Sequence, residues 1–128
     1  MSFRPLRLSP GDGLRRTLES LAGDGPGSFV VCGLGSLVQA RLRLAASDIE
    51  TVLEGPFEIL SLTGSVSRDG AHLHMAVADG SGRVTGGHVC YGNLVRTTAE
   101  LLLAEPGDWE IGRAFDERTG YKELVVRS

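Results

Sequence analysis

The chain has three histidines, and all of them, His72, His74 and His88, fall in the stretch from Ala71 to Gly92, which also holds Cys90, one of two cysteines. Imidazole nitrogen and thiolate sulfur are the side-chain donors best matched to borderline-soft transition metals. His72 and His74 stand two residues apart, so on a β-strand both project from one face, separated by roughly 6 to 7 Å along the chain. That spacing lets two imidazoles converge on one ion.

Asp79-Gly80-Ser81-Gly82 lies between these two histidines and the third. If Gly80, Ser81 and Gly82 form a three-residue loop, with Gly82 in the left-handed position of a bulge, they set the register of a hairpin. Ala78 then faces Val84, His74 faces His88, and His72 faces Cys90, with opposed Cβ atoms about 5 Å apart. The same face carries Ala76, Ala78 and Gly86, which are small enough to leave a depression for an ion and a water. Leu73, Met75 and Val77 point the other way, toward a core. A two-residue loop would shift the pairing by one and set His88 beside Leu73; Gly82 and the resulting clustering favour the first register.

Three histidines suit Zn2+, with Fe2+, Ni2+ or Mn2+ as alternative divalent transition metals, and they leave a fourth position for water or an exogenous ligand. Cys90 in that position would close the site and make it structural. Glu58 and Glu100 are the candidate catalytic carboxylates, as general bases or as partners that orient the imidazoles. Taken singly, each reads more simply as half of a surface or interface ion pair. Arg41 and Arg43 share a strand face and are the most nucleic-acid-like feature, although a solvated face or a subunit contact explains them equally. Ser36 and Ser61 have no spacing that ties them to a base, so no Ser-His-Asp set is present. Gly33-Leu34-Gly35-Ser36 lacks the third glycine and the following helix of a dinucleotide or phosphate loop.

The elements that must carry these residues are mostly strands. Phe3 to Leu8 reads as a short strand, with Pro5 marking an edge or a start. Ser9 as N-cap, Pro10 at the first helical position and Asp12 three residues after the cap open a helix. Its apolar stripe is Leu14, Thr17, Leu18 and Leu21, and Gly23 and Gly25 end it. Ser28 to Gly33 is an apolar strand expected to be buried on both faces. A turn at Gly33, Gly35 and Ser36 leads to a second strand, Val38 to Leu44, with Val38, Ala40, Leu42 and Leu44 inward. Asp48 to Glu54 reads as a short extended connection. Phe57 to Ser67 is a long strand with Phe57, Ile59 and Ser61 on one face and Glu58, Leu60 and Leu62 on the other, until Gly64 permits a bulge. Arg68, Asp69 and Gly70 turn it into the histidine hairpin. Leu94 to Ala104 is a Thr-rich strand, and Trp109 to Ala114 with Tyr121 to Val126 form a terminal hairpin across Asp116 to Gly120.

With 128 residues, the chain is expected to form a single domain, 1–128, large enough to bury one core without disulfides. Eighteen glycines point to many turns and a β-rich architecture, and 5% aromatic residues imply a core of Leu, Val, Ile and Ala. A net charge of −3 and a pI near 5.6 work against a simple electrostatic grip on a nucleic acid. No apolar run approaches the ~20 residues of a spanning helix, and no apolar stretch follows Met1, so no membrane association is expected and the compartment is the cytoplasm. Cys32 and Cys90, without CxxC spacing, are expected to stay reduced.

Several blocks together resemble one family. Gly55-Pro56-Phe57-Glu58-Ile59-Leu60-Ser61-Leu62-Thr63-Gly64 is followed by His72-Leu73-His74, Asp79, Gly82-Arg83-Val84, Gly86-Gly87-His88 and Thr97-Thr98-Ala99-Glu100. In order and spacing, from Leu6 to about Val126, they resemble the PPC (plant and prokaryote conserved) domain in its stand-alone prokaryotic form. The resemblance implies an α+β fold, a largely antiparallel β-sheet with one main amphipathic helix packed against it, assembled as a homotrimer. It also implies His72, His74 and His88 as ligands of a metal, and it says nothing of Cys90. Plant members place an AT-hook before the domain. This chain has no Arg-Gly-Arg-Pro and has Pro56 where the plant motif has Arg.

Three functions compete on these grounds. The first is a stand-alone domain binding zinc or another divalent metal, with a small-molecule ligand or a reaction at the open position. The second is a DNA-binding or nucleoid-associated regulator, as the family label suggests but the acidic pI and the missing AT-hook disfavour. The third is a metal-dependent hydrolase or isomerase with Glu58 or Glu100 as base.

Overall fold

Alternating apolar residues and β-branched runs make strands of most of the chain, and one leucine stripe makes a helix. The computed structural model describes residues 1–128. In chain order the elements are β1 (Ser2–Leu8), α1 (Leu14–Ala22), β2 (Ser28–Arg43), β3 (Thr51–Ser67), β4 (Gly70–Ala78), β5 (Val84–Val89), β6 (Val95–Glu105), β7 (Glu110–Asp116) and β8 (Tyr121–Arg127). Six strands form one sheet in the order β1-β6-β2-β3-β4-β5, and β7 and β8 make a separate two-stranded ribbon. All pairings are antiparallel. The architecture is the α+β one expected, a largely antiparallel sheet with one main helix against it.

The end of β2 also pairs with β5, Leu42 with Val89 and Arg43 with His88. This joins β2, β3, β4 and β5 in a closed ring, so the sheet curls. Inside the curl lies a cluster that includes Leu37, Leu42, Leu62, Leu73, Val77 and Val89, and α1 adds Leu14 and Leu18 to it. Each such side chain contributes about 2 kcal/mol when fully buried. Pro5 sits on β1, the sheet's edge, where its missing N–H interrupts no inner ladder.

Several expectations need correction. The helix begins at Leu14, not at Pro10, with Gly13 as a cap that supplies no side-chain bond. Ser9 and Asp12 do bond each other, Ser9 N–H to Asp12 Oδ2 at 2.8 Å and Asp12 N–H to Ser9 O at 3.1 Å, but they close a turn. Gly11, at φ +87°, takes the backbone out of the helical region just after it. The leucine stripe is otherwise as read, except that Leu21 is largely exposed.

The expected turn at Gly33 to Ser36 does not exist, because β2 runs unbroken for 16 residues. Its glycines serve close approach instead: a Cβ on Gly35 would lie 2.5 Å from Thr98 O of β6. Register shifts along β2, between Val30 and Cys32 and again between Leu37 and Gln39, change which residues point inward. Leu37 is therefore buried and Val38 exposed, and the run from Ser28 to Gly33 is buried only at Val30. In the same way, β3 begins at Thr51, inside the supposed connection, and its register shift falls between Ile59 and Ser61 rather than at Gly64. Leu62 consequently joins Phe57 and Ile59 in the core, while Leu60 stays on the exposed face with Glu58.

Candidate metal centre

The Asp79–Arg83 connection fixes the register of the histidine strands. Gly82 sits at φ +81°, its N–H bonds Asp79 O at 2.9 Å, and Asp79 N–H bonds Arg83 O at 3.0 Å. The Asp79 carboxylate caps the loop by accepting from Ser81 N–H and Arg83 N–H at 2.8 and 3.0 Å. Ala78 therefore pairs with Val84 and His74 with His88, the register that follows from a three-residue loop.

Helix α1 holds both histidine strands at their far ends. Glu19 Oε2 accepts from Ala71 N–H at 2.9 Å, beside His72, and Arg15 donates to Val89 O at 3.1 Å, beside His88. Tyr91 donates to the other Glu19 oxygen at 2.6 Å, and the Arg15 guanidinium stacks over its ring at 4.3 Å.

On this frame the three imidazoles converge. One ring nitrogen from each of His72, His74 and His88 lies within 4.8 Å of the others, and the Nε2 atoms of His72 and His74 are 3.2 Å apart. Ring centroids are 4.9 to 5.8 Å apart. His88 Nδ1 is buried and has no hydrogen-bond partner, which is costly for a polar atom unless something not made of protein meets it. Burial, with Arg43 next in weight, pushes the His88 pKa down to about 4. Burial and Arg113 lower that of His72. Both rings are thereby held neutral near pH 7, the form in which imidazole binds a metal. The donor set, with His72 and His88 held neutral, fits a divalent transition metal.

Cys90 does not join them. After His88 the strand leaves β4 for β2, so Cys90 N–H bonds Arg41 O at 3.1 Å rather than facing His72. The thiol is buried, its pKa is raised by that burial, with Glu50 acting in the same direction, and it donates to His88 O at 3.8 Å. Glu58 is exposed on β3 opposite Ala78 and Ser36, and Glu100 is exposed on β6 opposite Arg7 and Leu34. Neither borders the cavities that the histidines line. Arg41 faces Glu50 at 3.6 Å, whereas Arg43 borders the histidines.

The acids that do border them are Asp48 and Glu50 on one side and, on another, Glu123 of β8, together with Arg113 of β7 and with Tyr121 and Lys122 of β8. Periodicity marks that hairpin but carries no sign of which strand it lies against. Asp69 settles this in three dimensions: its Oδ2 accepts from Arg113 N–H at 2.8 Å and ties β7 to the turn that opens β4.

A curled antiparallel sheet with one helix and a three-histidine cluster on a β-hairpin is thus the class of protein defined by fold and site. The profile of the Plants and Prokaryotes Conserved (PCC) domain, the PPC domain named above, matches residues 2–106, and the chain belongs to that family. It is 48% identical over 124 residues to the bifunctional protein GlmU of Synechococcus sp. (strain JA-3-3Ab), covering 95% of this chain and 20% of that protein. The chain therefore spans only about a fifth of that relative. A Salmonella enterica protein of solved structure is 36% identical with a TM-score of 0.93, covering 99% of this chain and 94% of that one. The metal-containing protein AF0104 of Archaeoglobus fulgidus is 26% identical with a TM-score of 0.76, over 98% and 94%. A protein of Ralstonia eutropha whose name suggests DNA binding shares the fold at 23% identity and a TM-score of 0.80, over 94% and 89%.

Proposed function

We propose that residues 1–128 act as one PCC-domain unit that binds a divalent transition metal, zinc first among them, through His72, His74 and His88. The fourth position stays open to a small ligand. The observation that carries this reading is the convergence of three ring nitrogens within 4.8 Å around a buried His88 Nδ1 without a protein partner. The metal-containing Archaeoglobus relative supports it. When bound, such an ion supplies Lewis acidity at its open position. The chain's own residues aim the three imidazoles and hold those of His72 and His88 neutral. Elemental analysis of untagged protein after mild purification is expected to give about one ion per chain, lost in the His72→Ala/His74→Ala double variant. Metal-free wild type would overturn the reading.

The same reading includes assembly as a homotrimer, as the resemblance implies. It is supported by apolar residues left uncovered on the sheet's outer face, among them Phe29, Val31, Leu34 and Leu60. It also places the protein in the cytoplasm, in keeping with two free cysteines. No helix is long and apolar enough to cross a membrane.

A DNA-binding role is the second reading, favoured by the names of fold relatives. A net charge of −3 and the contact between Arg41 and Glu50 leave it a weak electrostatic basis. A mobility shift at low salt, where phosphate contacts are strongest, tests it; free duplex at every protein concentration removes it.

A further inference from the structure

The ribbon β7–β8 lies beyond the segment matched by the family profile, and it walls the histidine cluster with charge of one dominant sign. A cavity of about 280 Å3 is bounded by His72 and His88 on one side and by Arg43, Arg113, Lys122 and Glu123 on the other. Three cations thus face one acid. Arg113 is fixed in place, with its side chain only 11% exposed, its backbone N–H held by Asp69 and its Nη2 bonded to Lys122 O at 2.7 Å. Its one carboxylate neighbour, Glu123, is 3.9 Å away, too far for a hydrogen bond. The rest of the guanidinium is unspent, and neither Arg43 nor Lys122 makes an ion pair.

This arrangement is poorly matched to a metal alone. Neutral imidazoles bring no negative charge, and the bordering acids, Glu123 and Asp48, are outnumbered by Arg43, Arg113 and Lys122, so a divalent ion here would add to an excess of positive charge. Like charges in a partly buried space repel, and an oxyanion would satisfy all of them together.

We propose that the open face of the three-histidine site is an anion pocket for a small carboxylate or phosphate. One oxygen of that ligand would reach the metal, while Arg113 and Lys122 of the ribbon and Arg43 of β2 hold the others. The ribbon is then the element that selects the ligand. This inference rests on the metal reading above.

The test uses the full chain loaded with Co2+, whose visible absorption reports coordination. It is titrated at constant pH with inorganic phosphate, with acetate, and with acetamide as the neutral counterpart of acetate. In the wild type the cobalt bands should change saturably with phosphate or acetate and not with acetamide, and the tighter of the two anions names the ligand class. Binding should weaken about tenfold or more in Arg113→Gln and in Lys122→Gln. It should be unchanged in Arg118→Gln, which removes the same charge from the ribbon's exposed turn, away from the cavity. Lys122 is exposed, so its variant keeps the fold even if Arg113→Gln does not. Cobalt bands that ignore both anions, respond equally to acetamide, or respond equally in Lys122→Gln would overturn the anion pocket and leave the metal site standing. An absence of protein-bound cobalt bands would overturn the metal reading and the pocket with it.

Discussion

His88 combines three properties: its Nδ1 is buried without a partner, its pKa is pushed down to about 4 by burial and Arg43, and its strand position sets it directly across from His74. A histidine whose folded pKa lies below its unfolded value near 6.5 makes the unfolded chain the better proton binder between those limits. The metal-free protein should therefore lose stability as pH falls from about 6.5 toward about 4, and this contribution should level off below that. Urea midpoints of metal-free wild type and His88→Asn at pH 7.5 and pH 5 check it: the wild type should drop further than the variant. Equal drops would mean that His88 is not protected from protonation. With metal bound, the same protons compete with the ion, so metal loss on acidification should accompany the destabilisation.

The histidine cluster was legible in the sequence because each step was local. A two-residue spacing put His72 and His74 on one face, and Gly82 fixed the loop that brought His88 across. Cys90 was not legible, since its direction depends on β5 leaving β4 to pair with β2, a tertiary event with no local signal. The rim residues Arg113 and Glu123 were hidden for the same reason, although their hairpin was plain.

At the scale of elements, the histidine hairpin is held by backbone approach as much as by side chains. Gly64 of β3 sits at φ +147°, and a Cβ there would collide with the carbonyl oxygen of His72 and lie 2.8 Å from Leu73 Cα. Gly64→Ala should lower stability by on the order of 2 kcal/mol or more. It should also reduce metal content, because the strain is relieved by moving the residue that carries His72. Gly82→Ala makes the contrast. Its φ of +81° disfavours a side chain, but nothing lies within 4 Å, so the loss should be about 1 kcal/mol with metal retained. Denaturation curves with metal content measured on the same samples separate the two, and full metal in Gly64→Ala would show that β3 does not position His72. The alternation rule failed at this scale too. Bulges in β2 and β3 reverse Val38 and Leu62, and the glycines of β2 serve strand contact rather than a turn. A register shift leaves the local composition of a strand unchanged, so only the neighbour that induces it can reveal it.

For the molecule as a whole, the outer face of the sheet is the feature that the fold leaves unexplained. Leu34 and Leu60 are 53% and 54% exposed, and the register that pairs Gly35 with Ile59 sets them opposite each other. Phe29 and Val31 are further exposed apolar residues of β2 and border the cavity that His72 and His74 line. A face of this kind in water costs free energy that a symmetric assembly recovers by covering it with copies of itself. Leu34→Glu/Leu60→Glu places two carboxylates side by side on it. If the face is a subunit contact, light scattering should give three times the 13.6 kDa chain mass for wild type and one chain mass for the variant. Neither residue touches the inner core, so the monomer should keep its strand signature in circular dichroism. Metal content then decides whether the site needs its neighbours. The three ligands all come from β4 and β5 of one chain, and the rim from β2 and the ribbon of that same chain, so the monomeric variant should retain close to one ion per chain. A variant that stays trimeric would move the contact to another face, and a folded monomer that loses its metal would place part of the site's support across the subunit boundary.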